Sequence, residues 1–313
     1  MITYYSLDEI PKIEDTVVAL GNFDGVHKGH QELIRRTVNS AYGANRKSAV
    51  FTFRNHPRNV LGQQPPVRNI LYSDDKEQIL RELGVDYLIS VEFDKTIQNM
   101  TPEEFVRDIL IRRLNMKEAY CGFNYRFGHQ GSGTPEVLMK IGLNDGFGIH
   151  VLEPYKVRGQ VVSSTLIRDF IEQGQIDRCL AFMGRYYCLK GIVIPGNRIG
   201  RTMGFPTSNV SLDEEMVAPA NGVYISYCSY ESVRFPSVTN VGHRPTVVKP
   251  GMGKNMETHI FNFDTDIYGK QIRVHFLERI RDEMRFPNID ELIAQIRQDC
   301  LTAASYHGII NRP

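Results

Sequence analysis

The ten residues Gly21-Asn22-Phe23-Asp24-Gly25-Val26-His27-Lys28-Gly29-His30 set two histidines among three glycines spaced by four. Imidazoles can donate hydrogen bonds to anionic oxygens or move a proton, and glycines let the main chain come close to a bulky anion. Val17-Val18-Ala19-Leu20 before this stretch has the continuous aliphatic character of a buried parallel strand, and Gln31 to Arg36 after it has helical periodicity. The glycine segment is therefore a strand-to-helix turn. A helix start leaves amide N–H groups unpaired and carries the positive end of the dipole, so this junction is suited to phosphate, with His27 and His30 aimed at one anion. The spacing matches neither G-x-G-x-x-G nor G-x-x-x-x-G-K-[ST]. Two other readings stay open on these residues alone. One is a zinc site, for which His-x-x-His brings no third or fourth ligand; the other is a glycine turn with incidental surface histidines.

A second set with chemical potential begins at Gly196. Gly196, Gly200 and Gly204, with Arg201 among them, allow main-chain amides to curl around anionic oxygens without a helix, and the oxygens of Thr207 and Asn209 suit a Mg²⁺ ion. The second half holds no Walker lysine motif and no protein-kinase glycine loop, so phosphate chemistry there needs this other cradle. Other residues are ambiguous alone. Ser164-Thr165, with Arg168 one turn on, reads as a helix cap, Glu257 as a solvated charge opening a strand, Asn124 as a turn cap, and His56-Pro57 as a loop packed on a sheet.

Taken in order, these segments resemble the bacterial bifunctional riboflavin kinase/FMN adenylyltransferase (FAD synthetase) family. The resemblance rests on GNFDGVHKGH at Gly21, Phe51-Thr52-Phe53 leading to His56-Pro57-Arg58, Gly122-Phe123-Asn124-Tyr125-Arg126-Phe127-Gly128, and Val162-Ser163-Ser164-Thr165-Leu166-Ile167-Arg168. It continues through Gly200-Arg201-Thr202-Met203-Gly204-Phe205-Pro206-Thr207-Ser208-Asn209, Val241-Gly242-His243-Arg244-Pro245-Thr246 and Glu257-Thr258-His259-Ile260, and so spans residues 15 to 304. Ser208 stands where alanine is usual, and His243 departs from the commoner residue.

The resemblance implies a doubly wound, Rossmann-like nucleotidyltransferase domain followed by a Greek-key β-barrel riboflavin kinase domain with a C-terminal helix. It implies two reactions, phosphorylation of riboflavin to FMN and adenylylation of FMN to FAD with loss of pyrophosphate, each using ATP with Mg²⁺; the alternatives are a chain that retains only one of the two activities and a non-catalytic flavin-binding regulatory protein. For adenylyl transfer it assigns His27 and His30 to catalysis, and Gly21, Asn22, Phe23, Gly29, Ser164, Thr165 and Arg168 to ATP. It assigns His56, Arg58 and Asn124 to FMN. For the kinase it assigns Glu257 as the base, Gly196, Gly200, Arg201, Gly204, Thr207 and Asn209 to ATP, Thr207 and Asn209 to Mg²⁺, and Arg281 and Glu283 to flavin. The segment Phe276 to Phe286 resembles a flavin-covering segment, although an amphipathic helix also fits it.

These residues need elements to hold them. Short apolar runs at Val17–Leu20, Ser48–Phe53, Tyr87–Val91, Ala119–Gly122 and Ile149–Leu152 alternate with helical patterns, as in a parallel α/β domain. Thr101-Pro102-Glu103-Glu104 is a helix start, with Phe105, Ile109 and Leu110 on its buried face. Helices are expected from Ser164 to about Glu172, with Gly174 as breaker, and then to Gly184. From Tyr186 the pattern turns β-rich, with strands at Tyr187–Ile194, Gly222–Tyr227, Thr258–Phe263 and Gln271–Phe276, a turn at Asp266–Gly269 and a helix from Ile289 to Ala303. The expected domains are 1–185 and 186–313.

Composition bounds the class. In 313 residues, 42% are apolar and 23% charged, ordinary for a globular enzyme of two domains. A net charge of +1 argues against a nucleic-acid surface. The start lacks a signal-peptide pattern and no run of eighteen apolar residues occurs, so neither export nor a membrane span is expected. The five cysteines, an odd count without a C-x-x-C pair, fit reduced thiols in a cytoplasmic protein. A monomer or weak homo-oligomer is expected, although the sequence does not fix the oligomeric state.

Overall fold

Strand β2, Thr16–Leu20, is buried at every residue and lies inside a parallel sheet, as its unbroken apolar character requires. The computed structural model of the chain describes residues 1–196, 204–243 and 254–309. In the first unit, six strands, β1 (Ile2–Tyr4), β2, β3 (Lys47–Phe53), β4 (Tyr87–Val91), β5 (Met116–Gly122) and β6 (Gly148–Leu152), pair in the order β1-β4-β3-β2-β5-β6. All five pairings are parallel. The chain winds outward from β2 through β3 and β4, then crosses back to add β5 and β6. The order therefore reverses between β2 and β5, and in open parallel sheets ligands bind beyond the carboxyl ends of the strands at such a reversal.

Both faces of the sheet are covered. On one face, Leu33, Ile34 and Ala41 of the helix Lys28–Gly43 and Leu80 of the helix Ser73–Glu82 pack on Val17, Ala19 and Val50. On the other, Phe105, Ile109, Leu110, Leu138 and Ile141 pack on Val18, Leu20 and Phe51. Thr101 caps its helix through a reciprocal capping box with Glu104, as the sequence indicates. The turns from Phe105 to Ile111 are π-helical, and Phe105, Ile109 and Leu110 remain buried on that wider spiral.

A short hairpin of β7 (Lys156–Val157) and β8 (Gln160–Val161) follows β6, and the second unit is built on β9 (Tyr187–Ile194), β10 (Ser208–Ser211), β11 (Gly222–Tyr230), β12 (Val233–His243), β13 (Lys254–Ile260) and β14 (Gln271–Arg281). They close a barrel in the order β10-β13-β12-β11-β14-β9, with β9 and β10 sealing it. Strands β11, β12 and β13 are consecutive antiparallel neighbours and β14 returns beside β11, which is the Greek key. The C-terminal helix Ile289–Tyr306 packs Cys300 and Ala303 against Val223, Ile225, Val238 and Leu277.

Two segments differ from the sequence reading. The strand expected at Thr258–Phe263 lies four residues earlier at its N-terminal end, because Asn262 turns with a φ of 53° and Lys254 to Asn255 pair with β12. The stretch from Phe276 to Arg281 continues β14 as strand, so a helix there is excluded. Contacts divide the chain into Met1–Ser164 and Thr165–Pro313. The change of sequence character at residue 185 marks where the barrel strands begin. The preceding helices, Ser164–Glu172 and Asp177–Met183, group largely with the barrel, for instance through the Ala220 amide, which donates to the Ile171 carbonyl at 3.2 Å.

Candidate active sites

The carboxyl ends of β3, β2 and β5 lie side by side, because Leu20 stands opposite Phe51 on one side and Cys121 on the other. The chain leaving each end carries an expected site segment: His56 and Arg58 after β3, Gly21 to His30 after β2, and Asn124 after β5. Asn124 is exposed in a turn, and a Cβ added at Gly122 would sit 3.4 Å from its Oδ1. His56 caps the short helix Pro57–Val60 by accepting from the Arg58 amide at 3.3 Å, and Arg58 Nε donates to Gln63 at 2.6 Å.

The turn after β2 is tightly wound. Gly25 has a φ of 79°, and Phe23 and Val26, at 48° and 33°, also occupy the left-handed region, which is costly for a β-branched valine. Phe23 is fully buried, so packing holds this conformation. Among the described residues the amides of Asn22 and Phe23 have no hydrogen-bond partner. Consecutive amides free beside a left-handed residue make an anion nest. His27 is the N-cap of the helix Lys28–Gly43, its Nδ1 accepting from the His30 amide at 3.1 Å. Nδ1 is thus used as an acceptor, so in the neutral ring Nε2 carries the proton and is the donor. The His30 ring stacks on His27 at 3.6 Å between centroids, with the edge of Phe23 at 5.1 Å. Gly29 sits at a close approach: a Cβ there would lie 3.2 Å from the Tyr155 Cβ and 3.3 Å from the His27 ring, so those neighbours would have to give way.

Ser164 reaches the same turn, its hydroxyl donating to the Asp24 carbonyl at 2.7 Å. Thr165 is exposed and Arg168 half-buried on the helix that follows; both belong to the second unit. Two residues that sequence reading missed also hold the turn: Thr52 Oγ1 donates to the Asn22 carbonyl at 2.9 Å, and Lys76 Nζ lies 3.4 Å from the same oxygen. Both read as ordinary residues of a strand and a helix. Only the fold brings them to residue 22.

On the barrel, Glu257 stands directly opposite Asn209 on β10 and Asn240 on β12, so the three share one row across three strands and one face of the sheet. Met256 and Thr258, on the alternate face, are wholly buried. Asn209 is only 7% exposed, and its amide fills the space above Gly196: a Cβ there would come within 2.3 Å of Nδ2. Gly196 thus brings the start of the glycine segment onto Asn209. Thr207 precedes β10, and His259 Nδ1 donates to the Pro206 carbonyl beside it at 2.8 Å. Gly204 has a φ of 84°. Gly200 and Arg201 lie outside the described residues. Beyond Asn240, Glu283 Oε2 accepts from Asn221 at 2.9 Å, and a Cβ added at Gly242 would lie 2.8 Å from Glu283 Oε1.

Arg281 is placed differently from the other expected flavin contact. Its guanidinium is paired with Asp299 of the C-terminal helix, Nε to Oδ1 at 3.0 Å and Nη2 to Oδ2 at 2.7 Å, and Gln295 donates to the same carboxylate. This ties the end of β14 to the helix. No cluster of three or more His, Cys, Asp or Glu side chains suited to a metal occurs among the described residues. All five cysteines are free thiols.

A model of the FAD synthetase family matches residues 9–166 and a model of the riboflavin kinase family matches residues 183–307. The bifunctional riboflavin kinase/FMN adenylyltransferase of Escherichia coli K12 is 33% identical over 306 residues, covering 97% of this chain and 96% of that one. The enzyme of the same description from Bacillus subtilis 168 is 33% identical over 299 residues, covering 95% and 94%. The crystal structure of a macrolide-efflux protein from Streptococcus pneumoniae matches with a TM-score of 0.88 at 31% identity, over 96% of this chain and 98% of that one. Among the described residues no helix is long and apolar enough to cross a membrane. With both family models in sequence and relatives aligned over nearly its full length, the chain belongs to the bifunctional riboflavin kinase/FMN adenylyltransferase family.

Proposed function

We propose that the two sites divide the work of this bifunctional enzyme between the parallel sheet and the barrel, with the residues named above in the following roles. In the first unit the phosphate of FMN attacks the α-phosphorus of ATP. A P–O bond forms to the flavin phosphate as the bond to the departing pyrophosphate breaks. The nucleophile is already an anion, so no protein base is needed; the demand is in-line placement and neutralisation of oxygen charge. His27 Nε2, His30 and the amides of Asn22 and Phe23 meet that demand, while Gly21 and Gly29 keep the approach open. Ser164, Thr165 and Arg168 serve the outer phosphates, and Asn124, His56 and Arg58 serve the flavin side. The observation that carries this reading is the capped, stacked histidine pair beside two unpartnered amides.

On the barrel, Glu257 accepts the proton of the ribityl hydroxyl as that oxygen bonds to the γ-phosphorus and ADP departs. Asn209, seated in the space that Gly196 leaves free of a side chain, and Thr207 offer hard oxygen donors. They would hold the Mg²⁺ that accompanies ATP, and the ion would supply neutralisation of phosphate charge. Glu283, which accepts from Asn221, serves the flavin, and Arg281 acts through its anchor to Asp299. Gly200, Arg201 and Gly204 complete the phosphate loop. The chain acts as a cytoplasmic monomer or weak homo-oligomer without nucleic acid or membrane, supported by its near-neutral charge and free thiols.

Crossed variants test the division. With riboflavin, ATP and Mg²⁺, His30→Ala should accumulate FMN without FAD, whereas Glu257→Ala should make no FMN yet convert supplied FMN to FAD. Undiminished FAD from His30→Ala removes that histidine from the mechanism, and undiminished FMN from Glu257→Ala removes the base.

A further inference from the structure

The Asn22 carbonyl is held by two side chains from distant elements. Thr52 Oγ1 donates to it at 2.9 Å, and Lys76, half-buried on the helix Ser73–Glu82, brings its ammonium to 3.4 Å. Burial opposes the charge of that ammonium, while the carboxylates of Asp24 and Glu77 support it. A lysine drawn out of water to meet a backbone carbonyl is an expensive way to hold a loop.

The peptide joining Asn22 to Phe23 is trans, because the only cis bond among the described residues is Gln64–Pro65. In a trans peptide the C=O and the N–H point in opposite directions. Fixing the Asn22 oxygen toward Thr52 and Lys76 therefore fixes the Phe23 N–H away from them. That N–H is one of the two amides without a partner among the described residues. Phe23 itself sits at a φ of 48°, a conformation that a free loop would leave.

We propose that Lys76 is a positioning residue for adenylyl transfer: by holding the Asn22 carbonyl together with Thr52, it presents the Phe23 amide to the nucleotide phosphates. This rests on reading the turn as the ATP site. Lys76 touches the carbonyl side of the peptide, so it acts on the transition state through the amide. Its loss is felt in turnover more than in nucleotide binding. A lysine whose role was only to stabilise the fold would behave differently. Its isosteric neutral replacement would leave turnover intact and lower the melting temperature.

The experiment measures kcat and KM for ATP in the FMN-to-FAD reaction for Lys76→Met, Lys76→Arg and Thr52→Val in the full chain, with FMN formation from riboflavin and thermal melting measured alongside. Lys76→Met should lower the adenylylation kcat by about tenfold or more, with KM for ATP within about threefold of the unmodified value. FMN formation and melting should be unchanged. Lys76→Arg, which keeps a charged donor, should recover most of the rate, and Thr52→Val should lower kcat in the same direction. The proposal is overturned if Lys76→Met keeps its kcat within about twofold, if the loss appears in KM alone as for a direct ATP ligand, or if Lys76→Arg fails to recover. Should Lys76→Met fail to fold, Lys76→Arg and Thr52→Val decide the question by the same criteria. If the unmodified chain makes no FAD, the reading of the turn fails instead.

Discussion

Gly196→Ala offers a sharp test of the barrel site, because its consequence can be worked out from distances. The added Cβ would lie 2.3 Å from Asn209 Nδ2 and 2.7 Å from its Cγ. Ordinary carbon contacts begin near 3.5 Å, so the amide has to retreat by about 1 Å. Asn209 has little room to do so: it is 7% exposed and its backbone is paired on both sides, with Ile194 on β9 and Glu257 on β13. Displacing a positioning group by about 1 Å can cost about a hundredfold in rate. FMN formation should therefore fall by about that factor, while conversion of supplied FMN to FAD stays at the level of the unmodified chain. The assay is chromatographic separation of riboflavin, FMN and FAD, with circular dichroism to confirm that the barrel is folded. FMN formation within about twofold of the unmodified rate would refute the placement of Asn209 and Gly196 at the kinase centre.

Two further outcomes concern the framework around the sites. Asp299→Ala leaves the Arg281 guanidinium, whose side chain is 17% exposed, without its carboxylate; it should destabilise the barrel by about 3 kcal/mol, read from denaturant midpoints, and an effect below about 0.5 kcal/mol would refute the anchor. Burial pushes the thiols of Cys121, Cys179 and Cys228 up to about 12 and that of Cys300 up to about 11. The thiolate is the reactive form, so at pH 8 a disulfide reagent should modify the half-buried Cys188 first and all five only on unfolding. Fast reaction of a second cysteine in the native chain would contradict that burial.

Much of this was legible from residues because the signals are local. Unbroken aliphatic runs mark β2 to β6, Thr101 announces its capping box three residues ahead of Glu104, and the glycine-histidine segment names its own turn. What was not legible depends on partners distant in sequence. Lys76 lies 54 residues from the carbonyl it meets, and inside a helix rich in charge it looks like surface. The ion pair of Arg281 depends on β14 running on to meet Asp299 of the C-terminal helix, a partner 18 residues away. The start of β13 was placed late because Lys254 and Asn255 are polar, and their strand character comes from pairing with Gly242 and His243. The division of the chain near Ser164 likewise reflects contacts of two helices that carry no strand-like signal.

One chain spends two ATP molecules in two different ways, and product stoichiometry from riboflavin with ATP and Mg²⁺, followed by phosphorus NMR, tests this. One ADP and one pyrophosphate are expected for each FAD, with ADP appearing first alongside FMN. FAD accumulating without matching pyrophosphate, or no flavin product under any Mg²⁺ condition, would contradict it.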